Sequence, residues 1–186
     1  MSRLSDFVEG PCYVIQVYTG SEEKAKTEIE TFMKENEIES NIMLVNALAE
    51  KIVFRERKRE VIRGVLFPGY LFVFGEMSNE VYATIIRNSR VFRFLKDCES
   101  GLLEVPKEKW HLIGELCNEE GVMELLEVTF DENDRVVILS EPFVNVIGKV
   151  IKVDRRKRAV IVELNIMGCS SMRFNYKEVE KILDES

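Results

Sequence analysis

The chain changes its pattern of secondary-structure signals at about residue 120, which limits it to a fold in two parts. Before that point, β-branched and aromatic runs that predict strands alternate with amphipathic helical segments; after it, only short strand patterns occur. Residues 115–133 contain seven carboxylates and no basic residue. We therefore predict a first domain at 1–118, a linker at 119–128 and a second domain at 129–186. The apolar residues of the linker leave open that part of it is helical or packs down.

The order of elements predicts the fold class of each domain. The first domain reads as β-α-β-β-β-α-β-α, which is typical of an α/β sandwich with helices packed on a mixed sheet. The β-branched and aromatic run 12–18 predicts a strand. A capping-box pattern at 19–22 precedes the first helix, whose apolar face is predicted at Ala25, Ile29, Phe32 and Met33. The charged run 55–60 predicts a hairpin turn, and a further helix is predicted to begin at Pro106 and to end before Gly121. Five short strands in the last part, among them an alternating run at 159–166 and a closing strand at 179–183, predict a small SH3-like β-barrel. The chain as a whole is therefore expected to be α+β.

Several function classes are excluded by residue types. The only histidine is His111, and the four cysteines are far apart, without metal-ligand spacing. No phosphate-binding glycine motif occurs. We therefore expect no catalytic residues, no metal and no cofactor. No apolar run has the length of a membrane span, and free thiols are typical of a reducing cytoplasm, so we expect a cytoplasmic protein with no membrane partner.

An aromatic strand with a kink at its entry is the most distinctive local motif. It covers 66–74, where Pro68 has no N–H for a sheet ladder and Gly69 permits unusual backbone angles. Phe72 and Phe74 fit the core. For Phe67 and Tyr70, core packing and exposure in an apolar groove both stay open, and such a groove would suit an amphipathic helix of a partner.

Charge is distributed unevenly along the chain. The net charge is −7, and residues 1–127 carry all of it, whereas 128–186 are neutral overall. Within the neutral part, four cations stand together at a predicted hairpin, and three more lie in the same small domain. This set predicts a phosphate-binding face for an RNA hairpin, the alternative being a solvated turn. Its members are Lys149, Lys152, Arg155, Arg156, Lys157, Arg158 and Arg173.

Two stretches of the sequence resemble the NusG family of transcription elongation factors. The first is the Phe-Pro-Gly-Tyr strand at 67–73, supported by 13–20 and by 86–91. The second, at 134–153, resembles the KOW motif. The resemblance covers roughly 11–185 and implies an NGN domain, a linker and a KOW barrel.

The resemblance also implies partners and site residues. Phe67, Pro68 and Tyr70 match the segment that grips the clamp helices of RNA polymerase, a contact that would oppose pausing and termination. The segment Arg87, Asn88 and Ser89 matches the one that lies near the non-template DNA strand. We therefore expect a monomeric elongation and antitermination factor that binds polymerase and a nascent RNA hairpin.

Departures from the family pattern indicate specialisation. Cys12 stands where the family usually has Trp, Glu141 where it has Gly, and Met167 and Cys169 where it commonly has an aromatic residue and Arg. The last two lie at an edge that contributes to binding of Rho or ribosomal protein S10, which puts those contacts in doubt. The chain resembles the LoaP-type antiterminators of Gram-positive bacteria more than the housekeeping factor.

Two competing hypotheses make different predictions. A free-standing KOW RNA-binding or ribosome-associated protein would bind RNA without polymerase, and would leave the Phe-Pro-Gly-Tyr strand and the acidic first domain unexplained. An enzyme would need a pocket at His111 or a reactive cysteine. A factor that rides on polymerase accounts for most of the chain.

Overall fold

The computed structural model describes residues 10–38, 41–96, 104–105, 114, 116–133, 135–140, 150–166 and 169–179. The chain forms two compact units. The first comprises Met1–Leu48 and Val65–Val122, and the second comprises Ala49–Gly64 and Met123–Ser186. The domain boundaries expected from the sequence stay a prediction. The helix predicted to begin at Pro106 and to end before Gly121 falls mostly outside the described residues.

Twelve strands and two helices have bounds within the described residues. In chain order they are β1 (Cys12–Val17), α1 (Glu22–Glu35), β2 (Ile42–Val45), β3 (Leu48–Arg55), β4 (Lys58–Val65), β5 (Tyr70–Gly75), α2 (Asn79–Arg87), β6 (Val91–Phe94), β7 (Val122–Met123), β8 (Leu126–Phe130), β9 (Val136–Ile138), β10 (Val150–Asp154), β11 (Ala159–Ile166) and β12 (Cys169–Glu178).

The first unit is built on a four-stranded sheet of order β2-β5-β1-β6. Strands β1 and β5 are antiparallel, with Cys12 opposite Phe74 and Gln16 opposite Tyr70. Alternate residues of the sheet join the buried faces of α1 and α2 in one apolar core. The other side of β5 is buried as well, so this strand is enclosed on both faces and holds the segment before it in place.

The buried stripe of α1 differs from the predicted one at one position. Ala25, Ile29 and Met33 are buried as expected, but Phe32 is 48% exposed. The stripe follows the i, i+4 row, and Phe32 falls at its margin because successive residues are 100° apart around the helix.

Strands β3 and β4 form the predicted hairpin. Its turn residues, Glu56 and Arg57, have φ angles of 47° and 66°, which is the left-handed region that a two-residue hairpin turn requires. The hairpin belongs to a three-stranded sheet of order β4-β3-β7. Inside the predicted linker, β7 and the start of β8 are strand rather than helix, with Val122, Met123 and Leu126 almost fully enclosed and Glu124 between the two strands exposed.

The second unit contains a curled five-stranded sheet of order β10-β11-β12-β8-β9. Its core includes Val160, Val162, Phe174 and Tyr176. Neighbouring strands are antiparallel except β12 and β8, which are parallel, with Tyr176 opposite Leu126. The predicted α+β class is confirmed. The closing strand expected at 179–183 lies beyond the described residues after Val179.

Candidate functional site

The segment 67–70 forms a type II turn that leads into β5. The carbonyl of Phe67 accepts a hydrogen bond from the N–H of Tyr70 at 3.2 Å, and Gly69 has a φ of 88°. Proline at the second position and glycine at the third are the residues that this turn type favours. The predicted kink at Pro68 is therefore a turn whose shape follows from its own sequence.

A buried carboxylate from another part of the chain holds this turn. Oε1 of Glu22 accepts a hydrogen bond from the N–H of Gly69 at 2.7 Å and another from the N–H of Gly20 at 3.0 Å. The carbonyl of Gly69 in turn accepts from the N–H of Val17 at 2.8 Å. The turn is thus held through both the N–H and the carbonyl of Gly69, which restricts its motion.

Glu22 stays ionised because of these bonds. Burial to 2% exposure raises the pKa of its carboxyl. Hydrogen bonds from the backbone N–H groups of Gly69, Glu22 itself and Gly20 outweigh burial, so the net pKa is lowered. The expected capping box at 19–22 is wrong, since the N-cap is Ser21, which makes no side-chain cap.

The three residues of the predicted polymerase site lie together in this turn but differ in exposure. Phe67 is only 7% exposed, and its ring meets that of Phe72 edge-on at 5.5 Å between centroids. Tyr70 is half-buried and Pro68 is exposed. Core packing and exposure in a groove were both open for Phe67, and in the structure its ring is packed in the core. Pro68 and Tyr70 therefore form the accessible part of the turn.

The second predicted site lies at the end of α2. Arg87 and Ser89 are exposed, whereas both polar ends of the Asn88 side chain have partners. Its Nδ2 donates to Glu28 at 3.1 Å and its Oδ1 accepts from the N–H of Arg90 at 2.9 Å. Arg90 also donates to Glu28 through Nε at 2.8 Å. Asn88 therefore fastens the helix end to α1, and only Arg87 and Ser89 present accessible side chains.

The basic cluster at 155–158 forms the turn between β10 and β11. Oδ1 of Asp154 accepts from the N–H of Lys157 at 2.9 Å, and Asn175 donates to the carbonyls of Lys157 and Arg158. Arg156 and Lys157 are exposed. The Arg155 guanidinium lies 4.1 Å from the centre of the Phe130 ring, an attractive cation–π distance. The backbone of the turn is therefore well held, while Arg156 and Lys157 point to solvent.

Two further cations of the predicted RNA face lie on one row of the sheet. Lys152 is opposite Ile161, and Ile161 is opposite Arg173; both cations are exposed. Arg173 is 3.9 Å from a carboxylate oxygen of Asp154. The negative charge of Asp154 therefore partly balances the positive charge of Arg173. Lys149 lies outside the described residues.

No alternative chemistry emerges from the described residues. None of their His, Cys, Asp and Glu side chains form a group of three that could bind a metal ion. Cys12 and Cys117 are free and buried, and burial raises the pKa of both thiols, that of Cys117 to about 12. Within the same part of the chain, no helix combines the length and apolar character needed to cross a membrane.

Comparison with known proteins decides the family. The model of the family described as "Transcription termination factor nusG" matches residues 12–114. The chain belongs to the NusG family. One curated relative is the transcription termination/antitermination protein NusG of Thermus thermophilus, which is 30% identical over 84% of this chain and 89% of its own length. Another is the protein of the same name from Campylobacter jejuni, which is 26% identical over 92% of this chain and 97% of its own length.

A solved structure supports the same assignment for the whole chain. It concerns domain interaction in Thermotoga maritima NusG, which is 25% identical, covers 92% of this chain and 97% of its own, and superposes with a TM-score of 0.50. The chain is thus a NusG-like transcription factor with an NGN plus KOW architecture. The proteins of this family are transcription factors rather than enzymes. The expected LoaP-like specialisation stays a prediction.

Sequence reasoning missed the residue that holds the turn. Glu22 and Gly69 are separated by 47 positions, and the local pattern suggested a helix cap instead. The sequence offered one signal for this role: Glu22 stands at the start of α1, in the same row as the residues that form the buried face of that helix.

Proposed function

We propose that this NusG-family chain is a processive elongation and antitermination factor that binds the clamp helices of RNA polymerase through its first domain and a nascent RNA hairpin through its KOW domain. The observation that carries the proposal is the 67–70 turn. It presents Pro68 and half-buried Tyr70 at the surface while Glu22 holds the backbone. A preformed apolar surface binds a helix with little loss of conformational entropy.

The buried ring of Phe67 has a supporting part in this proposal. Packed edge-on against Phe72, it fixes the base of the turn, so Pro68 and Tyr70 make the direct contact. The acidic character of residues 1–127 fits a protein partner for this surface rather than a nucleic-acid backbone.

For nucleic acid, the second unit supplies the proposed RNA site. Arg156 and Lys157 at the turn, with Lys152 and Arg173 on the adjoining sheet row, offer cations on a backbone held by Asp154. At the end of α2, Arg87 and Ser89 are proposed to touch the non-template strand. Asn88 positions this helix end, since its amide is engaged with Glu28.

Retention of purified RNA polymerase on the tagged full-length chain tests the polymerase contact. Pro68→Ala with Tyr70→Ala is expected to cost about 2 kcal/mol, roughly 30-fold in Kd. Phe32→Ala is the matched control, because it removes an exposed aromatic ring from the same unit. Equal retention of all three proteins would refute the proposal. Phe67→Ala is unsuitable, since truncating a buried Phe destabilises a fold by about 3–5 kcal/mol.

Binding of a labelled RNA hairpin tests the KOW site separately. Arg156→Glu with Lys157→Glu is expected to weaken binding and to flatten its salt dependence by roughly 0.9 per lost phosphate contact. Lys24→Glu with Lys34→Glu on α1 makes the same charge change on another exposed surface. If both pairs have the same effect, the KOW turn is not the RNA site.

A further inference from the structure

The β3–β4 hairpin ends in a second basic surface, which none of the sites above includes. All eight residues from 54 to 61 are exposed; they are called here the β3–β4 tip. Residues 49–64 contain six cations and three carboxylates, although the 1–127 region to which they belong in sequence is acidic. Positive charge is therefore concentrated on this hairpin, although the sequence on either side of it is acidic.

The cations of the tip lie on both faces of the ribbon. The two-residue turn at Glu56 and Arg57 places Arg55 opposite Lys58 on one face and Phe54 opposite Arg59 on the other. The contact of the Arg59 guanidinium with the Phe54 ring, 5.3 Å from its centre, agrees with this pairing.

Few carboxylates oppose these cations. A single ion pair within the tip joins Arg55 and Glu60 at 4.0 Å, the limit of such a contact, and both side chains are largely exposed, so it neutralises little. Charges at an edge strand commonly serve to prevent sheet-to-sheet pairing, but charges of either sign would do this. That role does not account for a positive excess, nor for Phe54 and Val61, which are 57% and 54% exposed.

A two-stranded ribbon with cations on both faces matches a groove that has phosphates on both walls. The major groove of B-form DNA admits such a ribbon, whereas that of A-form RNA is too deep and narrow. Four residues per strand extend roughly 13 Å, enough to enter the groove. A single strand would need cations on one face only.

We propose that the β3–β4 tip binds the phosphate backbone of double-stranded DNA, lying in its major groove without reading sequence. Lys58 and Arg59, on opposite faces of the ribbon, contact opposite walls of the groove. Arg57 at the end of the ribbon adds a third cation, and the Phe54 ring packs against Arg59. This site shares no residue with the proposed polymerase and RNA surfaces.

Fluorescence anisotropy of the full-length chain with a labelled mixed-sequence DNA duplex two helical turns long tests the proposal. Arg57→Asn with Lys58→Gln is expected to weaken binding several-fold and to lower the salt slope by roughly 0.9 for each cation. Asn is chosen because it tolerates the positive φ at this position. Glu56→Asn removes a negative charge from the same turn and is expected to tighten binding, an effect that misfolding cannot produce.

Controls separate this site from the others. Lys24→Gln with Lys34→Gln removes two exposed cations from α1 that belong to none of the proposed sites, and is expected to leave duplex DNA binding nearly unchanged. The tip variants are expected to bind RNA polymerase and the RNA hairpin as tightly as the unmodified chain does. The proposed function and this inference can therefore be refuted independently of each other. The inference is overturned if the duplex is not bound, if the tip variants leave the Kd and salt slope unchanged, or if they weaken binding of single-stranded DNA or duplex RNA more than binding of duplex DNA.

Discussion

The buried carboxylate of Glu22 permits a quantitative test of how the 67–70 turn is held. Glu22→Ala leaves the N–H of Gly69, in a buried position, without its acceptor at 2.7 Å. It also removes the acceptor of the Gly20 N–H, which is near enough to the surface to bind water instead. A hydrogen bond to a charged group contributes about 1.5–3 kcal/mol, and an unpaired buried donor costs about 1–3 kcal/mol. We therefore expect a loss of about 2–3 kcal/mol at the turn.

Hydrogen exchange of the Gly69 amide, followed by NMR, measures this loss where it occurs. A local loss of about 2–3 kcal/mol corresponds to exchange roughly 30- to 150-fold faster. Glu35→Ala is the control, since it removes an exposed carboxylate from the other end of α1 and is expected to change stability by no more than about 0.5 kcal/mol. Unchanged exchange of Gly69 in Glu22→Ala would show that the carboxylate does not hold the turn.

The pH dependence of stability provides a second readout of the same residue. Since the folded pKa of Glu22 is lowered, its contribution is fully present above the unfolded carboxyl pKa of about 4.3 and is lost as the pH falls through the lower folded value. The difference in unfolding free energy between the unmodified chain and Glu22→Gln is therefore expected to be constant above about pH 5 and to shrink in acid. A difference that does not vary with pH would contradict the assigned charge.

Two further predictions concern thiols and backbone. Cys12 and Cys117, buried and with raised pKa values, are expected to resist a thiol reagent in the native state and to react on unfolding; mass spectrometry of the labelled peptides decides this, and fast native labelling would contradict it. Gly75→Ala is expected to destabilise the first unit by more than about 2 kcal/mol, because its φ is 107° and a Cβ would lie 2.1 Å from the carbonyl oxygen of Asn41. Gly20→Ala has a similar φ but open space, so urea unfolding is expected to show a loss of only about 1–2 kcal/mol; equal losses at the two positions would refute this reasoning.

Local chemistry made much of the fold predictable. Most of the β-branched run 12–18 and all of the alternating run 159–166 are strands, since such residues pack well on a pleated surface. The Pro-Gly pair at 68–69 predicted a kink at the entry of β5, because proline restricts and glycine extends the allowed backbone angles. These signals lie within a few residues of the structure they predict.

What the sequence could not reveal depends on distant contacts. The acceptor of the Gly69 N–H is set by how α1 packs against the sheet. Because Glu22 stands at the start of α1 and far in sequence from Gly69, its local pattern indicates a helix cap and not a contact with the turn. The exposure of Phe32 likewise follows from which side of α1 meets the sheet. Asn88 was expected to lie near the non-template DNA strand, but its side chain is engaged with Glu28, which lies on another helix. In each case tertiary packing selects one of several local possibilities.

The parallel pairing of β8 with β12 has a consequence for the order of folding during synthesis. Strand β8 is made about 45 residues before the Tyr176–Glu178 segment that lies beside it, so its inner edge lacks a partner while the intervening chain is being added. The four strands of the first sheet are complete once Phe94 has been added. We therefore expect the first sheet to form on the ribosome well before the second, which leaves a period in which the exposed edge of β8 depends on chaperones or on its own charges to avoid wrong pairing.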